Sequence, residues 1–224
     1  MAELAELHGT DKRAEVHDYV RTYDRHLGTL RHRVRTVLEL GVHAGASLRV
    51  WRDWMPRAEV HGLDLRKLPS VRGERLHLWR GDQCDAELLA QVVAACGGTI
   101  DLVVDDGAHT SEAQLASFAI LWPHVSPGGV YVVEDTCCSY WPEYGGAYPP
   151  PPTSAITRLQ QLVHDAHLRG HRAGRQLHRA PSVLLPSVAA AQAQGQLRGL
   201  DTTVEEVVFA NSTVLVRKRG ELPA

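Results

Sequence analysis

The feature that most constrains the fold is an apolar run that ends in acidic residues and occurs twice in the chain. Residues 101–109 read D-L-V-V-D-D-G-A-H, and residues 130–135 read V-Y-V-V-E-D. Short apolar runs of this kind indicate buried strands of a parallel sheet. The polar residues then fall just beyond the carboxyl ends of two strands, which is where open α/β sheets bind ligands.

Acidic residues from the two runs can form a metal site. If the strands are neighbours, the carboxylates of Asp106, Glu134 and Asp135 meet at one edge of the sheet, with His109 close by. Three carboxylates share a small volume only with a cation, because like charges repel, and hard oxygen ligands suit Mg²⁺, Ca²⁺ or Mn²⁺. The alternative is that the acids cap the following helices and that His109 only starts a helix. Three acids and a histidine at two strand ends favour the metal site.

Strands and helices alternate between residues 36 and 135, which predicts an α/β fold with a doubly wound, mostly parallel, Rossmann-like sheet. A C-terminal antiparallel hairpin is expected where residues 204–209 and 213–217 flank Ala210-Asn211-Ser212. We expect a single domain over residues 1–224, opened by a helical segment at 1–30. The other predicted elements are strands at 36–40, 59–64 and 76–83 (with its exit) and helices at 48–55 and 86–96.

Two local patterns refine the region between the acidic runs. Residues 111–114 read S-E-A-Q and match a capping box at the start of a helix. The buried stripe of that helix is expected to consist of Leu115, Phe118, Ala119 and Trp122. Residues 127–129 read P-G-G and are expected to turn the chain into the strand that begins at Val130.

The region after the second acidic run is rich in aromatic residues and glycine. We expect residues 136–155 to form a substrate loop, with Tyr140 and Trp141 as substrate-binding residues. Residues 154–170 are expected to be helical, and residues 187–197 to be helical or mobile. A solvated helix face is favoured over a second metal site for His164, His167 and His171, since no acid or cysteine supports them.

The turn after the first strand carries glycines at 41 and 45, which let the backbone approach a ligand closely. Its spacing is G-x-x-x-G and not G-x-G-x-x-G, which counts against NAD and suits a nucleoside ligand without a pyrophosphate. Asp64 ends the second strand a little over 20 residues after Gly41, where a carboxylate can bind ribose hydroxyls. Asp82 and Gln83, after the third strand, can hydrogen-bond an adenine or its ribose.

Composition argues against several classes of protein. The formal net charge of −2 leaves no basic footprint for nucleic acid. No apolar signal region opens the sequence, no apolar stretch reaches transmembrane length, and the four cysteines form no C-x-x-C pair. We therefore expect a cytoplasmic protein with a small-molecule partner and no membrane or nucleic-acid partner. We also expect a homo-oligomer, a dimer or tetramer.

Taken together, the motifs resemble those of class I S-adenosylmethionine-dependent methyltransferases. More narrowly, they resemble the metal-dependent macrocin and demethylmacrocin sugar O-methyltransferases of natural-product biosynthesis. The resemblance covers roughly residues 8–145, Ala108 stands where the family usually has Ser, and residues 147–200 match poorly. The motifs are H-G-T-D-K at 8–12, V-L-E-L-G-V at 37–42, G-A-S-L-R-V-W at 45–51, G-L-D at 62–64, V-D-D-G-A-H at 104–109, V-E-D-T at 133–136 and S-Y-W-P at 139–142.

The resemblance implies transfer of a methyl group from S-adenosylmethionine to a sugar hydroxyl of a glycosylated macrolide or polyketide. It implies that Asp106, Glu134 and Asp135 hold Mg²⁺, while His109 acts as the general base that accepts the hydroxyl proton. It also implies that Thr10 and the first-strand loop lie near the methionyl end of the cofactor. The residues predicted to bind the cofactor are Thr10, Glu39, Gly41, Gly45, Ser47, Asp64, Asp82, Gln83 and Asp105.

Two alternative functions stay open at this point. A catechol-type phenol O-methyltransferase also uses a metal at these strand ends, but its adjacent phenolic hydroxyls depend less on an imidazole base. A non-catalytic partner could bind the cofactor and support another tailoring enzyme. The complete set of three acids and a histidine argues against the second alternative.

Overall fold

The structure, a computed structural model, describes residues 1–66, 71, 73–168 and 203–223. In this part of the chain, seven strands form one sheet in the order β3-β2-β1-β4-β5-β7-β6. The strands are β1 Thr36–Leu40, β2 Glu59–Asp64, β3 Leu76–Arg80, β4 Ile100–Asp105, β5 Val125–Val133, β6 Val204–Ala210 and β7 Thr213–Lys218. The strands from β3 to β5 are parallel, whereas β7 runs antiparallel to β5 and to β6. The predicted doubly wound sheet with a C-terminal antiparallel hairpin is therefore confirmed.

Helices pack on both faces of the sheet. They are α1 Ala2–His8, α2 Tyr19–Leu27, α3 Ala46–Trp54, α4 Ala86–Ala95, α5 Ser111–Leu121, α6 Ala155–Gln160 and α7 Leu162–Leu168. Side chains alternate along each strand, so one strand contributes to both layers of core. In β4, for example, Val103 joins the cluster with α4 and α5, whereas Val104 joins the cluster with α2 and α3. The sheet is thus the middle layer of three, and both its faces are apolar.

Helix α5 differs from its prediction at two points. Its N-cap is Thr110, whose hydroxyl accepts from the Ala113 amide at 3.4 Å, and not Ser111. The Ser111 hydroxyl accepts from the Ala155 amide at 2.9 Å and so links the helix to α6. Ala119 is exposed. The apolar stripe misplaced the buried face of the helix, because that face also carries polar residues. That face consists of Ala113, Gln114, Ser117, Phe118 and Leu121.

Three other expectations need correction or fall outside the description. The P-G-G stretch does not precede a strand but lies within β5, at a register shift against β4 between Ile100 and Leu102. The predicted helix at 154–170 is divided into α6 and α7 around Gln161. Residues 187–197, His171 and the end of the predicted 154–170 helix lie outside the described residues. None of the described helices is long and apolar enough to span a bilayer.

The N-terminal segment is helical only in part, since α1 ends at His8 and α2 begins at Tyr19. Val16, which lies between these helices, is exposed. Tyr19, Tyr23 and Leu27 are buried against the sheet, and the ring of Tyr23 meets that of Trp51 edge-on at 5.0 Å. This packing places the residues between α1 and α2 above the carboxyl ends of the central strands. The single domain over 1–224 stays a prediction.

Candidate functional site

The parallel register of β4 and β5 brings the two acidic runs together, as predicted. Asp105 pairs with Val133 at the ends of these strands, and the Glu134 amide donates to the Asp105 carbonyl at 2.9 Å. The Asp106 amide donates in turn to the carbonyl of Leu40, at the end of β1. Asp106 and Glu134 therefore leave the sheet side by side, at the edge where parallel sheets bind ligands.

The backbone at this edge is unusual at three positions. His109 has φ 57° and Asp135 has φ 51°, both in the left-handed region that non-glycine residues rarely adopt. Such conformations cluster at functional sites. Gly41 has φ 86°, and a Cβ atom there would lie 1.9 Å from the Asp106 carbonyl oxygen. Only glycine at this turn allows the ends of β1 and β4 to approach so closely.

Three side chains of the N-terminal segment donate to the three predicted metal-binding carboxylates. Lys12 Nζ lies 2.5 Å from Asp106 Oδ2 and 2.5 Å from Glu134 Oε2. The Tyr23 hydroxyl donates to Glu134 Oε1, and the Tyr19 hydroxyl lies 2.5 Å from Asp135 Oδ1. The carboxylates therefore lie close together, as predicted, but each of them also accepts a hydrogen bond from a side chain of the N-terminal segment.

Burial and charge oppose each other in this cluster. Burial acts against the charge of Lys12, but the carboxylates of Asp106, Glu134 and Glu39 outweigh it and hold the pKa of Lys12 well above its usual range. Burial, with the nearby charge of Asp106, raises the pKa of Glu134. Burial and Glu134 likewise raise the pKa of the Tyr23 hydroxyl, which therefore stays a donor.

The donor set that faces outward suits a metal ion. One ligand atom each from Asp106, His109 and Asp135 lie within 4.8 Å of one another, and His109 Nε2 is 3.7 Å from Asp135 Oδ2. His109 Nδ1 is buried and has no hydrogen-bond partner among the described residues. Because a buried polar atom without a partner is unfavourable, the imidazole fits a site that a further group completes. Glu134, the third predicted ligand, adjoins this set but is bonded to Lys12 and Tyr23.

The predicted cofactor residues after β1 and β2 lie around the first glycine turn. Ser47 Oγ and Trp51 Nε1 donate to Glu39 at 2.7 and 3.1 Å, and burial raises the pKa of Glu39 to about 7. Asp64 accepts from the Val42 and His43 amides at 2.8 and 2.9 Å. Burial acts to raise the pKa of Asp64, but the hydrogen bonds from these two amides and from the Arg66 amide outweigh it and hold the pKa below its usual range. Gly45 caps α3, which begins from the same turn.

Of the predicted cofactor residues at the ends of β3 and β4, Gln83 and Asp105 are buried, whereas Asp82 is exposed. Gln83 Nε2 donates to Asp105 Oδ1 at 3.0 Å, and Gln83 Oε1 accepts from the Ala108 amide at 2.8 Å. Ser117 Oγ lies 2.5 Å from Asp105 Oδ2, and burial raises the pKa of Asp105 to about 6. Thus Gln83 and Asp105 hold the loop between β4 and α5 in place. Asp82 caps the turn beyond β3 by accepting from the Cys84 amide.

Thr10 belongs to the segment that carries Lys12, and the predicted substrate loop directly follows Asp135 in the sequence. Thr10 is buried, and its hydroxyl accepts from the Lys12 amide at 3.4 Å. In the loop, Trp141 is 46% exposed and its ring lies 6.2 Å from that of Tyr144, which in turn meets His109 edge-on at 6.2 Å. Tyr140 is half-buried behind them. Aromatic rings therefore extend from the imidazole to solvent.

Sequence reasoning did not find Lys12, Tyr19 and Tyr23 as site residues. The available signal was the H-G-T-D-K motif itself, which contains one of only three lysines in the chain. Tyr19 and Tyr23 recur at helical spacing, which is the pattern of residues that pack a helix on a sheet. Their rings do pack on the sheet, but their hydroxyls reach the acids.

Comparison with known proteins agrees with this geometry. Residues 38–136 match the family described as Methyltransferase domain. A crystal structure of the MycE methyltransferase from the mycinamycin biosynthetic pathway, in complex with Mg and SAH, superposes with a TM-score of 0.80 at 30% identity. The alignment covers 100% of this chain and 55% of that one. The strand order and these matches show that the chain has the fold of this methyltransferase and that residues 38–136 are similar to the methyltransferase family.

Among methyltransferases, the chain is similar to sugar O-methyltransferases of macrolide and polyketide pathways, as its motifs predicted. It is 38% identical over 184 residues to the 8-demethyl-8-alpha-L-rhamnosyl tetracenomycin-C 2'-O-methyltransferase of Streptomyces olivaceus, covering 78% of this chain and 48% of the relative. It is 39% identical over 172 residues to the mycinamicin VI 2''-O-methyltransferase of Micromonospora griseorubida, covering 73% and 43%. The chain thus spans about half the length of the curated relatives it matches.

Proposed function

We propose that the chain is an S-adenosylmethionine- and Mg²⁺-dependent O-methyltransferase that acts on a sugar hydroxyl of a glycosylated macrolide or polyketide. The observation that carries the proposal is the convergence of Asp106, His109 and Asp135, with Glu134 beside them, at the carboxyl ends of two neighbouring strands. Support comes from the similarity to enzymes that methylate sugars of such compounds, and from MycE structures in complex with Mg and SAH.

In this proposal the metal is held by Asp106, Glu134 and Asp135. When bound, a divalent cation supplies Lewis acidity that lowers the pKa of a sugar hydroxyl towards neutrality. His109 adjoins the acids without belonging to either strand, and its Nε2 lies on the side of Asp135 that Tyr19 leaves open. It is therefore placed to accept the hydroxyl proton, while its left-handed backbone fixes the direction of the ring.

The cofactor is proposed to lie over the ends of β1 and β2. The glycine turn that begins at Gly41 lies at the carboxyl end of β1, and the carboxylate of Asp64 bonds the amide of Val42 in the same turn. Glu39 and Ser47 are buried beneath the turn and set its position. Since the phosphate cradle of dinucleotide sites is missing from this turn, we propose that NAD does not bind.

The acceptor is proposed to lie against the loop at 136–155, where Trp141 offers an exposed ring close to the imidazole. Methyl transfer is an in-line displacement, so most of the rate then depends on how well the loop and the acids position the hydroxyl. A cytoplasmic location and a homo-oligomeric state stay predictions.

Turnover with S-adenosylmethionine carrying a labelled methyl group tests the proposal. The acceptors are a panel of glycosylated polyketides and a catechol, each with Mg²⁺ and with EDTA. We expect label on the sugar, loss of turnover in EDTA and recovery when Mg²⁺ is restored. Full turnover in chelator would leave the acids as structural groups, whereas label on the catechol alone would point to a phenol O-methyltransferase. Binding of S-adenosylhomocysteine without turnover of any acceptor would fit a non-catalytic partner.

A further inference from the structure

Lys12 is a buried cation inside an acidic site. Its side chain is 3% exposed, and its ammonium group lies 2.5 Å from one oxygen of Asp106 and 2.5 Å from one oxygen of Glu134. A third carboxylate, that of Glu39, is 3.9 Å away. An ammonium group in this position takes two of the oxygens expected to bind metal, so it either yields to the metal or shares the carboxylates with it.

The surroundings of Lys12 hold it in place. Its carbonyl accepts from the Val20 amide at 3.1 Å, and its amide donates to Thr10. The segment is fastened again by Asn211 in the β6–β7 turn, whose side chain donates to the His17 carbonyl at 2.7 Å. Removal of the ammonium group would leave Glu134, which is 1% exposed, as a buried charge without a cation, and that is strongly unfavourable.

Donors of the N-terminal segment take one side of Asp106 and one side of Asp135, whereas Glu134 accepts on both oxygens, from Lys12 and from Tyr23. Lys12 bonds Oδ2 of Asp106, and Tyr19 bonds Oδ1 of Asp135. The opposite oxygens, Oδ1 of Asp106 and Oδ2 of Asp135, are left for an added cation, and the latter faces His109. The segment thereby fixes the rotation of the Asp106 and Asp135 carboxylates and the direction in which the second oxygen of each points.

Charge leads to the same arrangement. The carboxylates of Asp106, Glu134 and Asp135 carry three negative charges when ionised, and Lys12 and one divalent cation together supply three positive charges. Glu39, 3.9 Å from the ammonium group, is a further carboxylate and adds to the demand for a cation when it is ionised. A site that lost the ammonium group on binding metal would keep an uncompensated charge in a buried position.

We propose that Lys12 is a permanent positioning residue: its ammonium group holds Asp106 and Glu134 by one oxygen each and stays there when a divalent cation binds the other side of the site. This inference rests on the proposed metal site, but it concerns a residue outside the predicted ligand set. It follows that binding of the metal and docking of the N-terminal segment on the acids each stabilise the other.

Calorimetric titration with Mn²⁺ tests the inference on purified Lys12→Met protein. We expect Mn²⁺ affinity to fall about 10- to 100-fold, as happens when groups that orient metal ligands are removed. Lys218→Met is the matched control, since Lys218 bonds backbone carbonyls near Val125, at the other end of β5, and should leave Mn²⁺ affinity unchanged. Unchanged or tighter binding by Lys12→Met would show that Lys12 only fills the place of the metal and would overturn the inference.

Hydrogen exchange of the wild-type protein gives a second test that does not depend on whether the variant folds. We expect the amides of residues 10–27 to be protected equally or better when Mn²⁺ is added. Loss of protection on addition of Mn²⁺ would mean that the metal displaces Lys12, contrary to the inference. Failure of the wild-type protein to bind Mn²⁺ at all would overturn the proposed metal site together with this inference, whereas the outcomes above overturn the inference alone.

Discussion

The hydroxyl group of Tyr19 lies 2.5 Å from Oδ1 of Asp135, although 116 positions separate the two residues along the chain. Burial and this hydrogen bond raise the pKa of Tyr19 well above its usual range, so the hydroxyl remains a donor at neutral pH. The contact ties the N-terminal segment to Asp135, the second residue after the end of β5, which follows the acid Glu134.

Tyr19→Phe should lower the free energy of unfolding by about 1 kcal/mol, because one hydrogen bond to a carboxylate is lost while Asp135, whose side chain is 20% exposed, can partly replace it with water. Urea unfolding in EDTA measures the change in the absence of metal. Tyr148→Phe is the control, because Tyr148 is 88% exposed, and its stability should equal that of the wild type. Equal stability of all three proteins would mean that the Tyr19 contact contributes nothing.

His109→Ala separates the two roles open to the imidazole. As the general base, its loss should reduce kcat by about 100- to 10,000-fold, with a residual rate that rises with pH. Binding of S-adenosylhomocysteine and of Mn²⁺ should remain close to wild type, because the cofactor is proposed to lie over β1 and β2 and the three acids remain. Loss of Mn²⁺ binding would instead assign His109 as a metal ligand, which its place beside Asp106 and Asp135 also allows.

Glu39 should make stability depend on pH. Burial raises its pKa from 4.5 to about 7 in the folded chain. Its contribution to stability is therefore full below the unfolded pKa and is lost as pH rises through about 7, since the folded state binds the proton more tightly. The shift corresponds to a loss of about 3 kcal/mol over that window.

Glu39→Gln removes the titrating group and keeps both contacts in changed form: its amide oxygen can accept from Trp51, and its amide nitrogen can donate to the Ser47 hydroxyl. Urea unfolding at pH 5 and pH 8 should show a smaller difference for this variant than for the wild type. Glu112→Gln, at an exposed position of α5, should retain the wild-type difference. If Glu39→Gln retains it as well, the pH dependence arises from other groups.

Trp141→Ala tests the aromatic platform. The ring is 46% exposed and joins His109 through Tyr144, so its loss should remove acceptor contacts without disturbing the acids. We expect KM for the glycosylated acceptor to rise about tenfold, a loss of about 1.4 kcal/mol of binding, with kcat little changed. A fall in kcat at constant KM would place Trp141 in the chemical step.

Periodicity was sufficient to predict the sheet, because each strand of a doubly wound fold is an apolar run bounded by polar turns. The strands β1 and β2 have the predicted bounds, and the hairpin at the end of the sheet was visible from its turn residues. The convergence of Asp106 and Glu134 followed from the same reasoning, since parallel strands end at the same edge.

Contacts between distant polar side chains could not be predicted in this way. Lys12 and Glu134 are 122 positions apart, and the sequence around either residue does not indicate that the other is its partner. The inward direction of Gln83 was missed for a related reason. A polar residue after a strand is expected to face a ligand, whereas Gln83 satisfies the buried carboxylate of Asp105.

The contacts of Lys12 also determine when the site can form during folding. Lys12 leaves the ribosome 94 residues ahead of Asp106 and 122 ahead of Glu134, so a nascent chain that ends within α5 lacks one of its two partners. Contacts of such long sequence separation form late, because the loop they close must first be ordered. We therefore expect the acids and their ammonium partner to come together only after β5 has joined the sheet, so that a partly synthesised chain has no assembled site for the proposed metal.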